Sequence, residues 1–319
     1  MRLLQSKKHS FLTLLVSIFI SACATQLGTE TATTLSLPNG LYGHAVINNG
    51  DKIYVLAGSQ KGGFSRDIQI IDPHTQKVTR LENKLLPRRY HSAVWDGKDS
   101  IYILGGVSNW HRTTRLQPLI EVFDIPSGTV SIIGETPIPR RFASAVYIDG
   151  KIIVAGGSVF SRNASTHATN TVAIYDIKKN LWRKAANLPF AEDTRIVALG
   201  QHIYAIGGFN HLHASDHFSR YDIEADEWVS LPALPTALSA HSAVSHDNKI
   251  YTFGDYKDLS ASFVYDLNTQ RWKKSSFDFQ ASRHNAATIL NDTIYVIGGT
   301  TSASGPFLHT VQTFSVNQH

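Results

Sequence analysis

The sequence predicts an all-β fold, a six-bladed β-propeller whose ring closes on itself. Three observations carry this. A short apolar strand ending in glycine recurs six times, beginning at Ile53, Ile101, Ile152, Ile203, Ile250 and Ile294. The closing pair of each ends at residue 58, 106, 157, 208, 255 and 299, so the repeats are spaced by 48, 51, 51, 47 and 44 residues. A period near 50 residues with room for four strands marks radially repeated sheets. The last unit stops one strand short at Phe314-Ser315, and Thr33–Pro38 looks like an orphan fourth strand ahead of the first unit. Joining the two would complete blade 6 and leave no open sheet edge.

Each repeat reads in the same order. A first strand starts near arginine or histidine, as in Arg89–Val94, Arg141–Val146 and Arg283–Ala287. The glycine-ended strand follows, and its glycines allow turns where a side chain would clash. An aromatic–aspartate pair closes the third strand at Phe123-Asp124, Tyr175-Asp176, Tyr221-Asp222 and Tyr265-Asp266, where the aspartate is suited to capping the next turn. Trp182, Trp228 and Trp272 come six or seven residues later, and with the tyrosines they fill the space between wedge-shaped blades. Blades 1 and 2 lack this tryptophan, blade 1 has Ala57-Gly58, and blade 5 has Gly254-Asp255. The pattern resembles kelch repeats over residues 34–316, which implies a kelch propeller over 34–319. Such a fold hosts unrelated activities, so function must be read from the site.

Residues 1–22 read as an export leader, with Arg2, Lys7 and Lys8 ahead of an apolar run from Phe11 to Ile20. That run is too short to span a bilayer. It ends in Ile20-Ser21-Ala22-Cys23, which resembles a bacterial lipobox and implies lipidation of Cys23, the sole cysteine. By resemblance to Gram-negative lipoproteins, Ala24 after it implies the outer membrane, facing the periplasm, with the membrane reached through the lipid anchor alone. Residues 23–33 then form a polar, lipidated tether. Removing 1–22 leaves 27 basic against 25 acidic residues, a net charge of +2, which gives no ground for a nucleic-acid partner.

In propellers of this type, the lead-in to the first strand and the loop after the glycines share one face around the channel. Counting back from the first-strand alanine aligns Leu41, Arg89, Arg141, Glu192, Ser239 and Arg283, and two residues later Gly43, His91, Ala143, Thr194, His241 and Asn285. Arg195 and His284 fall in the same loops, and Trp110 in a post-glycine loop could stack on a sugar face. Ten of the fifteen histidines (44, 91, 111, 167, 211, 213, 217, 241, 284, 309) map to this face. The expected ligand site is therefore Arg89, His91, Trp110, Arg141, Arg195, His241, Arg283 and His284, a mouth that favours anions.

The expected partner is an acidic sugar, a glycan or an envelope protein, and no cofactor is expected. Six-bladed kelch proteins include exported N-acetylneuraminate epimerases; that resemblance implies an acidic-sugar mutarotase, an isomerase, with an arginine on the carboxylate and Glu192, His91 or His241 moving protons. Uronate elimination by His91, Tyr90 and Arg89 is a related option, and a scaffold for envelope proteins is a third. His211, His213 and His217 supply three imidazoles within seven residues and are weak metal candidates. The chain has no Gly-x-Ser-x-Gly elbow or Gly-rich phosphate loop, and no cysteine for the cross-linked tyrosine of galactose-oxidase-like propellers.

Overall fold

A computed structural model describes residues 35–110, 113–161 and 165–318. The leader, Cys23 and the tether lie outside the described residues, as do His111, Arg112 and Arg162.

Six antiparallel sheets follow one another along the chain, each keeping its strands in chain order, with a two-stranded ribbon between the second and third strands of blades 1, 2 and 3. Blade 1 comprises Ala45–Asn48, Ile53–Leu56, Ile68–Asp72 and Lys77–Leu81. Blade 2 comprises Ser92–Trp95, Ser100–Leu104, Leu119–Asp124 and Thr129–Glu135. Blade 3 comprises Ser144–Ile148, Lys151–Ala155, Val172–Asp176 and Leu181–Ala185. Blade 4 comprises Arg195–Leu199, His202–Phe209, Ala214–Asp222 and Glu227–Ser230. Blade 5 comprises Ser242–His246, Lys249–Phe253, Ser262–Asp266 and Arg271–Lys274. Blade 6 supplies Ala286–Leu290, Thr293–Ile297 and Val311–Ser315. The first strands touch one another in sequence, and that of blade 6 touches that of blade 1, so the ring is closed.

The continuous apolar second strands follow from this arrangement. A blade is covered on both faces, so alternate residues enter opposite interfaces. Ile53 and Val55 pack toward blade 6, whereas Tyr54 and Leu56 pack toward blade 2. Ile152 and Val154 likewise face blade 2, and Ile153 and Ala155 face blade 4. Six apolar clusters result, one per interface.

The repeat residues have the structural roles expected of them. Trp182, Trp228 and Trp272 lie directly across the ladder from Tyr175, Tyr221 and Tyr265, with ring centroids 5.0, 4.9 and 5.1 Å apart. Asp72, Asp124, Asp176, Asp222 and Asp266 accept backbone N–H groups of the turn that follows. At Gly106 (φ +87°) a Cβ would lie 2.6 Å from the Arg89 carbonyl oxygen, which only glycine avoids.

Closure uses the N-terminal segment in a reduced form. Ser36 bridges Thr310 antiparallel, and Leu37 donates its N–H to His309 at 2.7 Å, beside the third strand of blade 6. Among the described residues of this segment, one bridge forms where a strand over Thr33–Pro38 was expected. Anchorage comes instead from side chains: Leu37 and Leu41 are buried between Ile53, Ile71, Tyr295, Ile297 and Val311 at the interface of blades 6 and 1. Leu37→Ala is expected to lower unfolding free energy by about 2–5 kcal/mol in urea denaturation; a change under about 0.5 kcal/mol would show that the segment does not hold the ring.

Candidate functional site

The lead-ins to the first strands are aligned by their contacts with the glycine pairs. Gly58, Gly106, Gly157, Gly208 and Gly299 donate N–H to the carbonyls of Arg88, Arg140, Glu192, Leu238 and Leu41. One structural register therefore holds Leu41, Arg88, Arg140, Glu192 and Leu238. The next residue in each, with Arg283 of blade 6, whose bridge to Thr300 matches theirs, forms the mouth register: Tyr42, Arg89, Arg141, Asp193, Ser239 and Arg283. The expected alignment is corrected at two places. Tyr42, not Leu41, matches Arg89, as its bridge to Ser59 parallels those of Arg89 to Val107 and Arg141 to Ser158. Asp193, not Glu192, occupies the arginine position of blade 4, donating its N–H to the carbonyl of Phe209.

The residue after this register is left-handed in five blades. Gly43, Tyr90, Phe142, Ala240 and His284 have φ of 61°, 58°, 56°, 54° and 52°. That conformation is costly for bulky residues and survives only where the surroundings enforce it. Here each residue is hydrogen-bonded to its counterpart in the neighbouring blade. Phe142 donates to Tyr90 (2.9 Å), Tyr90 to Gly43 (2.6 Å), Gly43 to His284 (3.0 Å) and His284 to Ala240 (2.8 Å). The result is a backbone collar across five blades, with the rings of Tyr90, Phe142 and His284 gathered on it. Blade 4 is one residue shorter and has no collar residue. Arg195, where the other blades carry Ala45, Ser92, Ser144, Ser242 or Ala286, bridges the gap by donating Nε–H to the His241 carbonyl at 2.9 Å.

The collar and the structural register sort the residues that sequence grouped together. Arg88 is fully buried, pairs with Glu121 at 2.6 Å and also donates to the carbonyls of Gly105 and Leu119. Arg140 is buried too, donating to the carbonyls of Gly156 and Thr171. Glu192 is buried in the same register, accepting from Ser215 Oγ at 2.8 Å and meeting His217 Nδ1 at 2.5 Å. His91 lines the channel below the collar, and His44 does as well. Burial lowers His44 to about 4 and His241 to about 3, and holds His91 well below its usual value. These imidazoles are neutral at physiological pH and add no positive charge to the mouth, a correction to the charge expected of them. Glu192, His91 and His241 do not line the mouth cavity.

The mouth is a cavity of about 490 Å³ above the collar. Arg89, Arg141, Arg195 and His284 line it as expected, with Tyr90, Phe142, Phe209, Leu212 and Tyr256. Arg89 lies 5.0 Å from the Tyr90 ring centroid and Arg141 5.3 Å from that of Phe142. Arg283 is largely buried 3.8 Å from the Tyr256 ring centroid, so it supports the wall rather than lining the cavity. None of these arginines forms an ion pair among the described residues. Burial lowers His284 to about 3, with Arg195, Arg283 and Arg89 adding to the effect, and raises the Tyr90 phenol to about 12. The backbone of Trp110 lies in a two-stranded ribbon, Val107–Trp110 with Thr113–Leu116; its side chain is outside the described residues.

Sequence reasoning missed the acid that does stand in the mouth. The Asp193 carboxylate accepts the Ser158 hydroxyl, and the same Ser158 Oγ meets His211 Nε2 at 2.7 Å. Burial raises Asp193 to about 7 against the opposing pull of Ser158, Arg141 and Arg195. The three imidazoles considered for metal do not converge. His211 turns to Ser158, His213 to Asn210 at 3.2 Å, and His217 stacks on Phe190 at 3.5 Å while meeting Glu192. Among the described residues no group of three potential metal ligands is assembled.

Six radial sheets with a ring of lead-in loops define a kelch-type propeller. The chain belongs to the kelch-repeat family: residues 43–255 match the KLHDC2/KLHL20/DRC7 Kelch-repeats domain and residues 237–276 match the Kelch motif. It is 24% identical over 233 residues to Kelch-like protein terF of Aspergillus terreus, across 67% of this chain and 50% of that protein. It is 31% identical over 211 residues to Kelch-like protein 23 of Pongo abelii, across 65% of this chain and 35% of that protein. The human Kelch-like protein 23 is 23% identical over 215 residues, across 66% and 36%. The chain thus spans half or less of the length of these relatives.

The two arginines of each Arg-Arg pair are expected to separate experimentally. Arg88→Ala strands Glu121 in the core and should cost about 3–5 kcal/mol of stability. Arg89→Ala should cost under about 1 kcal/mol, since it removes a cation held by ring faces and by the hydroxyls of Tyr42 and Ser59, both near the mouth. Equal losses in chemical denaturation would contradict the sorting.

Proposed function

We propose that this propeller is a recognition module whose mouth binds an anionic ligand, and that the ligand is a carboxylate-bearing protein segment. The observation that carries this is the set of cations, Arg89, Arg141 and Arg195, lining an aromatic cavity without ion-pair partners among the described residues. Guanidinium groups fork to carboxylates and keep their charge when partly desolvated. An acidic sugar or glycan meets the same cations. The rim favours a peptide: Leu212 is 85% exposed beside the cavity and Tyr256 51% exposed, offering apolar contact that a hydrophilic sugar does not use.

The test is fluorescence polarisation with labelled, end-blocked hexapeptide pools. One pool carries a central glutamate beside a leucine, and its control carries glutamine. The glutamate pool should bind more tightly, and Arg141→Ala should weaken it by about 1.5–3 kcal/mol, roughly the worth of a charged hydrogen bond. Equal binding of the two pools, or indifference to Arg141→Ala, would refute the proposal.

A further inference from the structure

We propose that Asp193 is a built-in competitor at the anion site: its ionised carboxylate neutralises Arg141 and Arg195, and protonation releases them to an external anion. This inference rests on the reading of the mouth as an anion site and adds its regulation. Five observations support it. Asp193 occupies the position that is arginine in blades 2, 3 and 6, the one acid in a register that otherwise holds Tyr42, Arg89, Arg141, Ser239 and Arg283. It lines the same cavity as both arginines. Its charge and those of Arg141 and Arg195 act on one another across that cavity without direct ion-pair contact. The carboxylate is largely buried, so the solvent screens it little. The Ser158 hydroxyl holds it in place, and that hydroxyl is itself completely buried.

The groups facing Asp193 are Arg141 from the lead-in of blade 3, Ser158 after the glycines of that blade, Glu192 and Arg195 from its own segment, and His211 from the blade 4 hairpin. Lys257, His213 and His284 line the cavity farther off. Glu192 raises the Asp193 titration, and the two arginines and Ser158 lower it. His211 sits below its usual value, held there by burial, Arg141 and His167, while Asp193 is raised to about 7. The sign follows. Above that interval the mouth holds an internal anion. Below it the carboxyl is neutral, and affinity for an external anion rises. By reciprocity, each unit by which the bound anion raises the Asp193 titration strengthens binding about tenfold at low pH.

Inorganic sulfate is a suitable probe, because it remains a dianion from pH 5.5 to 8.5. It is titrated at constant ionic strength into the full chain while the side-chain Nε–H signals of Arg141 and Arg195 are followed by NMR. Wild type should bind about tenfold more tightly at pH 5.5 than at pH 8.5. Asp193→Asn should bind at both pH values as tightly as wild type does at low pH. Ser158→Ala removes a hydrogen bond that favours the carboxylate, so it should move the transition to higher pH; this gives a second reading should the asparagine variant fold poorly. Sulfate binding without pH dependence overturns the internal competitor and leaves the anion site standing. A pH dependence that persists in Asp193→Asn overturns it as well and moves the effect to His211. No response of either arginine at any pH overturns both readings together.

Discussion

The mouth of this propeller hangs on a run of backbone hydrogen bonds between blades. Gly43, Tyr90, Phe142 and His284 each donate to a carbonyl of the next lead-in, and all adopt a left-handed conformation to do so. The apolar clusters between blades supply most of the ring's cohesion, yet they are non-directional and would tolerate small rotations of one sheet against the next. Hydrogen bonds of fixed geometry remove that freedom at the channel mouth. They also decide which side chains face it. In blades 2 and 3 the residue before the collar lines the cavity, and the one before that turns into the wall. Adjacent arginines thereby divide their labour: Arg88 and Arg140 satisfy carbonyls in the core, while Arg89 and Arg141 remain in the mouth.

The exception in blade 4 gives the site its chemistry. Losing one residue there removes the collar contact and brings Asp193 to a position that is arginine in three other blades. Arg195 then sits where small residues stand elsewhere and bridges to blade 5. A permanent cation and a carboxyl of elevated pKa are thus brought together in the blade where the collar is interrupted. A break in a repeated frame is where a site can depart from the scaffold, since every other blade constrains its neighbour.

The fold was legible because each blade must bury both faces. That requirement repeats an isoleucine-led apolar run closing on glycine six times at a nearly constant spacing, five of them opening Ile-Tyr, and each tyrosine–tryptophan pair meets across one ladder. The lead-in loops were legible only in part. Arg89, Arg141, Arg195 and His284 were placed at the mouth from their spacing together with the resemblance to kelch propellers, whose lead-in loops share that face. Glu192 was not distinguished from Asp193, because a one-residue deletion cannot be located without the hydrogen bonds that define the register. The blade 1 offset has a different cause, an alanine one position early: Ala45 matches Ser92, not the alanine after it, and strand pairing with Leu56 and Leu104 reveals this. Histidine counts misled in a different way. Composition places His44, His91 and His241 near the channel, but burial, which a sequence does not display, keeps them uncharged. Tyr256, Phe209 and Leu212 carried no motif, and only their convergence on one cavity identifies them.

Native-state hydrogen exchange tests the central claim most directly. If the collar is the rigid frame of the mouth, the amides of Gly43, Tyr90, Phe142 and His284 should exchange only through global unfolding. Their opening free energies should then match those of the first-strand amides of Val94 and Val146. Exchange of the collar amides by local fluctuation, well ahead of those strands, would contradict it and would mean that the mouth is shaped by its side chains and not by the backbone beneath them.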